Sequence, residues 1–594
     1  LLEELSQGWS DRRYHKAAAR HKIDFYRDRG VEIPLVEIAD HWRQAGEMEK
    51  YRDTLFQSAE RSKERFDLRG ARDRFRELEG VLEEEDNYGE MWIESQLALA
   101  ELARRFGEFG LSEEHYRRII DRDLPAEDKG QALRGFAHLL FVQRRNDEAL
   151  QFYKRALKTS QGVKDVAGVA KSLIGLSRVY LMRGDTEEGN KVRDRLEDML
   201  PHLPGGEIAG KVLLHLAEVA QRRGELSKRH DYLVKAREEL EETDDRQALS
   251  DVLVALGNSL LDPAMNAADR LERAGELLRD ALELKRSIGD RHGVAEAFRQ
   301  LGQLEIELSD FDAAKRLLQQ GLDIHEALGA PYNIGATKNG LGIAFLYTGH
   351  FDRADQLFEE SIELFEQVGD DVAKSHSLFN QGVVAINKRE IGRAQTLLRE
   401  ARRLKEAAGT NWALMDLRNH LAIAAMWLGE FKEAERILDE TLDSVDERGT
   451  DEDRTMARSL MGLLRCFESR LQLAALELGR ARADAEDLGL DRVQVFCQAN
   501  AAFYARLTEA ESTYENLLEQ FRDAPVFGTL HQDVWLDLIE SMVQHAVEAE
   551  QDRQSVRLLR TVGGFWREFG RPDGADRLDE QAKELAAQLE ALRT

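Results

Sequence analysis

Few residues in this chain could drive a reaction. Cys466 and Cys497 are its two thiols, and each sits in an apolar run with helical spacing. Paired with a histidine, Cys466 would make a caspase-like or papain-like dyad, but its place in a repeating helix reads as a buried structural thiol. The run GGEIAGKV, residues 205–212, gives Gly205, Gly210 and Lys211 the spacing of a phosphate loop. Val212 stands where the magnesium-binding Ser or Thr belongs, and the preceding LEDMLPHLP reads as a helix end, not a strand. A Pro and Gly turn between helices accounts for the run. HExxH, paired CxxC, GxSxG and EF-hand patterns do not occur, so the sequence offers no catalytic residue, no metal site and no cofactor, and the chain is expected not to be an enzyme. His376 and His420 are not at a metal-ligand spacing and read as polar helix residues.

The elements that carry these residues follow from a repeat. Gly302, Gly342, Gly382, Ala422 and Gly462 are 40 residues apart, as are Ala314, Ala354, Ala394, Ala434 and Ala474. A third series, Gly289, Gly329, Gly369, Gly409, Gly449 and Gly489, keeps the same step. Each unit reads as two helices with a short turn near Gly349 or Gly429, the third glycine closing the second helix in a left-handed cap. Glycine inside a helix costs roughly 1 kcal/mol relative to alanine, so Gly342 predicts a close helix-helix approach that excludes bulk. Larger residues, Phe345, Phe351 and Phe358 in one unit and Leu304, Phe311 and Leu318 in the one before, fill the complementary places. Each hairpin then leaves an apolar face that only its neighbours cover, which predicts a stacked array.

The pattern LGIAFLYTGHFDRADQLFEES, residues 341–361, resembles the tetratricopeptide repeat, with a small residue in the first helix and alanine in the second. The 40-residue length and the IGDRHGVAEAFRQLGQL junction resemble the long-helix subclass of spindle-orientation adaptors, kinesin light chains and bacterial signal-transduction ATPases of the STAND type. The resemblance implies an all-α, right-handed superhelical solenoid of stacked antiparallel helix pairs, roughly twelve to fourteen hairpins in all. Four segments are expected: divergent hairpins over 1–125, weaker repeats over 126–250, the regular array over 251–490, and divergent repeats with a polar capping helix over 491–594. About five extra residues near LDPAMNAADR enlarge one turn around Pro263, which surface loops accept at small entropic cost. Arg229 and Gly189 replace the alanine of their units, and Tyr514 replaces it beyond Gly489. Residues 35–66 resemble the segment that follows the nucleotide switch in signal-transduction ATPases and kinase-linked relatives. Together with a start at Leu1, that suggests a piece of a longer chain.

In the geometry this resemblance implies, first helices line a concave groove. The inward positions are Arg299, Gln300 and Gln303, then Asn339, then Phe379, Asn380 and Val383, then Asn419, His420 and Ile423, with Tyr347, Asn387 and Trp427 one turn later. Side-chain amides donate and accept together, so Asn339, Asn380 and Asn419 could hold the backbone of an extended peptide while Phe379, Tyr347 and Trp427 meet its side chains. The same residues would also suit turns, interhelical packing or solvent. The lysine-based carboxylate clamp of chaperone-binding relatives is missing from the matching sites.

The net charge of −28, with 112 acidic residues against 84 basic ones, disfavours nucleic acid and anionic membranes as partners. The acids read as solvated outer faces, with a groove for a basic protein or peptide as the sharper alternative. Two cysteines exclude a disulfide framework and suit a reducing, cytoplasmic setting. No apolar run approaches the roughly 20 residues of a membrane span. The expected function is a non-catalytic scaffold, the sensor arm of a larger signalling protein, with a free-standing adaptor that regulates a protease or nuclease as the alternative.

Overall fold

The 40-residue period is a packing requirement. The computed structural model describes residues 11–592 apart from 66, 224, 262–268, 409–413, 449, 450, 522, 523, 525 and 528. The inserted turn around Pro263, the glycines 409 and 449, and Leu1 therefore lie outside the described residues. The chain divides into two compact units.

The first unit runs to Leu260 and adds Glu276–Gly293. Its helices pair in sequence: α1 (Asp11–Asp28) with α2 (Leu35–Ala45), α3 (Met48–Glu64) with α4 (Leu68–Glu84), and α5 (Glu90–Arg105) with α6 (Phe109–Ile120). The pairs α7 (Ala126–Val142) and α8 (Asn146–Gly162), α9 (Val166–Arg183) and α10 (Thr186–Met199), and α11 (Glu207–Arg222) and α12 (Leu226–Glu241) follow. Next come α13 (Arg246–Leu261) and α14 (Arg270–Ser287). Small residues again mark the close approaches: a Cβ on Gly175 would meet the Tyr153 ring at 2.1 Å, and one on Gly135 the Tyr116 ring at 2.4 Å. Arg229, at an alanine site, is buried and directs its guanidinium to the Ala255 carbonyl at 3.4 Å.

The second unit holds Leu261–Gly275 and Val294–Thr594. Its hairpins are α15 (Arg291–Glu307) with α16 (Phe311–Leu328), α17 (Pro331–Tyr347) with α18 (Phe351–Val368), and α19 (Asp371–Asn387) with α20 (Ile391–Ala407). Beyond them lie α21 (Leu414–Trp427) with α22 (Phe431–Arg448), α23 (Asp451–Phe467) with α24 (Leu471–Asp487), and α25 (Asp491–Leu507) with α26 (Glu511–Phe521). A Cβ added to Gly302, Gly342, Gly382 or Gly462 would stand 2.5, 2.6, 2.8 or 2.6 Å from Leu318, Phe358, Leu398 or Leu478 of the second helix. Each partner lies 16 residues on from its glycine. All five alanines of the second series are fully buried. The fold is thus an all-α solenoid of paired helices, and the small residues are where the two helices of a hairpin touch.

Two sets of residues with positive φ punctuate the 40-residue repeats. Gly329 and Gly369 cap α16 and α18 in the left-handed conformation, and Gly289 and Gly489 share it with φ of 76° and 63°. Between the helices of each hairpin, Ser309, Gly349, Arg389, Gly429, Ser469 and Glu509 have φ between 59° and 75°. The turn keeps its left-handed residue at every 40th position whether or not glycine is present.

After α26 the regularity ends. Val526–Phe527 (β1) pairs antiparallel with Leu530–His531 (β2), Val526 opposite His531 and Phe527 opposite Leu530. This is the one strand pairing among the described residues. Three helices follow: α27 (Gln532–Ala549), α28 (Arg553–Glu568) and α29 (Pro572–Ala591). The last two form a hairpin, and α29 buries Ala575, Leu578, Ala582 and Leu585 on one stripe, leaving the charged remainder outward. Among the described residues no helix is long and apolar enough to cross a membrane.

Candidate functional site

The first helices of successive hairpins carry the asparagines, and Asn339 and Asn380 bond to one another. Asn339 of α17 accepts from Ser377 Oγ at 3.1 Å and Asn380 Nδ2 at 3.0 Å, both on α19. Asn419 of α21 donates to the Asp453 carbonyl at 3.1 Å, and its Oδ1 is buried without a partner among the described residues. Arg299 forks onto Glu296, its Nε at 2.9 Å, while Gln303 reaches Glu307 at 3.2 Å. Tyr347 stacks on Phe311 with centroids 5.2 Å apart, and Phe379 meets the edge of His420 at 5.2 Å. Asn339, Asn380 and Asn419 therefore join neighbouring first helices.

Asn387, the last residue of α19, behaves differently. Its Nδ2 donates to the Thr529 carbonyl at 3.0 Å, and its Oδ1 accepts the His531 N–H at 3.0 Å. One amide thereby holds two backbone groups of an extended segment 144 residues further along the chain. A third bond, Nδ2 to the Val383 carbonyl at 2.9 Å, fixes its rotamer. His420 Nε2 lies 2.6 Å from Thr529 Oγ1, and the His531 ring sits edge-on to Phe351 at 4.9 Å with Nε2 3.3 Å from the Leu346 carbonyl. Leu530, between them, is fully buried.

The segment beyond continues along the turns of the array. Arg389 pairs with Asp537 at 2.5 Å, Ser541 Oγ donates to the Trp427 carbonyl at 2.8 Å, and a Cβ on Gly429 would strike the His545 ring at 2.6 Å. Gln554 reaches the Cys466 carbonyl at 3.5 Å. Residues 531, 537, 541–545 and 554 thus meet the hairpin ends at 346–351, 389, 427–429 and 466 in turn. Trp535 anchors α27, buried against Phe565 and donating to Asn500 Oδ1 at 2.9 Å.

Burial and local charge set the protonation of this surface. Burial by itself lowers the pKa of His420, but Asp416, with its carboxylate 3.1 Å and its carbonyl 2.8 Å from Nδ1, outweighs that and raises it. His531 is lowered by burial. Behind the surface, burial pushes His376 down to about 3, helped by the Lys405 charge, and pushes Lys405 itself down to about 8.

The other motifs are absorbed into structure. Cys466 is fully buried, donates weakly to the Gly462 carbonyl at 3.4 Å and has its thiol pKa raised by burial; Cys497 is pushed up to about 12 by the same cause. In the 205–212 run, Gly206 donates its N–H to the Glu239 carboxylate at 2.6 Å, and Lys211 pairs with Glu207 at 2.6 Å and Asp245 at 2.8 Å. An acidic side chain thus holds the helix N-terminus where a phosphate would have to go.

Of the residues expected in the groove, Asn387, His420 and Trp427 contact the chain's own later segment, whose Thr529, Leu530, His531, Asp537 and Ser541 the sequence reading did not name. These fall outside the 40-residue register, and the contacts they make span 109 to 185 residues.

Tetratricopeptide repeat family models match residues 128–188, 264–327 and 414–444. With paired helices packed through small residues at a fixed step, these stretches read as tetratricopeptide repeats. No curated relative matches the chain. Solved structures that match it include a Rap protein complexed with competence and sporulation factor, at 12% identity and TM-score 0.46, covering 70% of this chain and all of that one. The Cut9–Hcn1 hetero-tetramer of the APC/C gives 12%, 0.44, 89% and 96%, and the apo form of RapI gives 12%, 0.41, 60% and 97%.

Proposed function

We propose that the first-helix and turn surface of the second unit, residues 299–427, binds an extended peptide of a partner protein, and that the chain acts as a non-catalytic scaffold. The observation that carries this reading is the two-point hold of Asn387 on main-chain groups two residues apart. Backbone pairing by a side-chain amide gives affinity without demanding one sequence, while His420, Phe351, Phe379 and Trp427 beside it supply selectivity.

In the cell we place the chain as the sensor arm of a larger signalling protein, with ligand binding favouring one arrangement of the repeats. A free-standing adaptor that regulates a protease or nuclease is the second reading. Two buried free thiols fit a reducing cytoplasmic setting. The excess of acidic side chains favours a partner segment of basic character.

Affinity capture from the source cell tests this, comparing the wild-type chain with Asn387→Ala and with an Asn339, Asn380 and Asn419 triple alanine variant, each of unchanged helicity. A partner lost with Asn387→Ala supports the surface, and a partner kept equally by all three sinks it. Loss only in the triple variant would move recognition to the first-helix ladder.

A further inference from the structure

We propose that Thr529–Leu530–His531 is an internal ligand of the Asn387 surface, and that the external ligand is a peptide with the same order: a hydroxyl residue, a leucine-like residue and an imidazole. This rests on the peptide-binding reading above and names its ligand class and its regulation.

Every element of recognition is present in the internal contact. The backbone is read by Asn387 at Thr529 C=O and His531 N–H, both at 3.0 Å. The hydroxyl of Thr529 is read by His420 Nε2 at 2.6 Å, a separation that suits a hydroxyl and leaves no room for a longer side chain. Leu530 is sealed from solvent. The imidazole of His531 is read on one side by the Phe351 edge and on the other by the Leu346 carbonyl.

The neighbouring segments fix how much can be displaced. Trp535 is wholly buried in the core of the terminal helices, so α27 is a permanent part of the unit. Thr529 and His531 are half-buried, while Leu530 between them is fully buried in the same apolar cluster as Trp535, so a competing peptide must refill that place with a leucine-like side chain of its own. A competing peptide therefore replaces the hairpin tip and leaves the helix behind. Tethering gives the internal segment a high effective concentration, so the surface is closed until an external peptide matches or exceeds its contacts.

The test uses the full chain and a fluorescein-labelled peptide of residues 524–536, APVFGTLHQDVWL, followed by anisotropy. The double variant Thr529→Ala with His531→Ala weakens the internal copy and is expected to bind the peptide at least about tenfold more tightly than wild type. Adding Asn387→Ala abolishes that gain, and a peptide with Ala for its Thr and His binds about tenfold more weakly. Equal, Asn387-dependent binding by wild type and double variant would overturn the internal ligand while leaving the peptide surface standing. No binding to either protein would overturn the ligand class, and the affinity capture above, which uses no such peptide, would still decide the surface itself. Should the double variant fail to fold, hydrogen exchange at the His531 amide of wild type serves instead: saturating peptide must accelerate it, and unchanged protection refutes the proposal.

Discussion

Gly342 lies against Phe358 so closely that a Cβ on the glycine would stand 2.6 Å from the ring. That contact joins α17 to α18, and equivalents at Gly302, Gly382 and Gly462 join the hairpins around it. Glycine is kept inside these helices, against its propensity, because the partner side chain occupies the space a methyl group would take.

Gly342→Leu should overpack the hairpin and cost about 1–3 kcal/mol, more if Phe358 has no room to turn. Thermal melting followed by circular dichroism reads this as a lowered midpoint. Phe358→Ala in the same chain should recover part of the loss. An unchanged midpoint for Gly342→Leu would refute the packing assignment.

The Gly342–Phe358 relationship is legible in the repeat spacing alone, and the reason is physical. A hairpin repeat must place its smallest residues at fixed intervals, so spacing exposes Gly342, Ala354 and the cap at Gly369. The occupied surface is only half legible. Register places Asn387, since it is one helical turn past the small site. It does not place its partners Thr529 and His531, because a non-repeating hairpin meets the array through long-range contacts that leave no periodic trace. Asn339 and Asn380 have the right register too, yet spend their amides on each other.

Ser469 should tolerate glycine well. It is exposed and holds φ of 59° at the turn position where Gly349 and Gly429 stand in other hairpins. A left-handed backbone costs an L-residue roughly 1–2 kcal/mol, part of which glycine gives back through greater freedom when unfolded. Ser469→Gly is expected to raise stability by about 0.5–1 kcal/mol, measured as a higher urea midpoint; a fall of similar size would contradict the turn analysis.

Acid should loosen the second unit through His376. Its folded pKa is about 3 because burial, with Lys405 beside it, disfavours the charged ring. The unfolded chain, with a value near 6.5, binds the proton first as pH falls. Stability from this group is thus intact above pH 6.5 and declines as pH falls below it. The melting midpoint should drop between pH 7 and pH 5, and more gently in His376→Phe. His420 works in the opposite sense: its raised pKa adds stability present at low pH and lost as pH climbs above its folded value. A wild-type midpoint that is flat across this range would argue against a neutral His376 in the folded chain.

The order of the chain gives the Asn387 contact a history. The ribosome adds Trp427, the last residue of this surface, 104 residues before His531, so at roughly 5–20 residues per second the surface stands without its covering segment for about 5–21 s. Each newborn copy therefore passes through an interval with the proposed surface bare, in which a partner already at hand could engage it without having to evict anything.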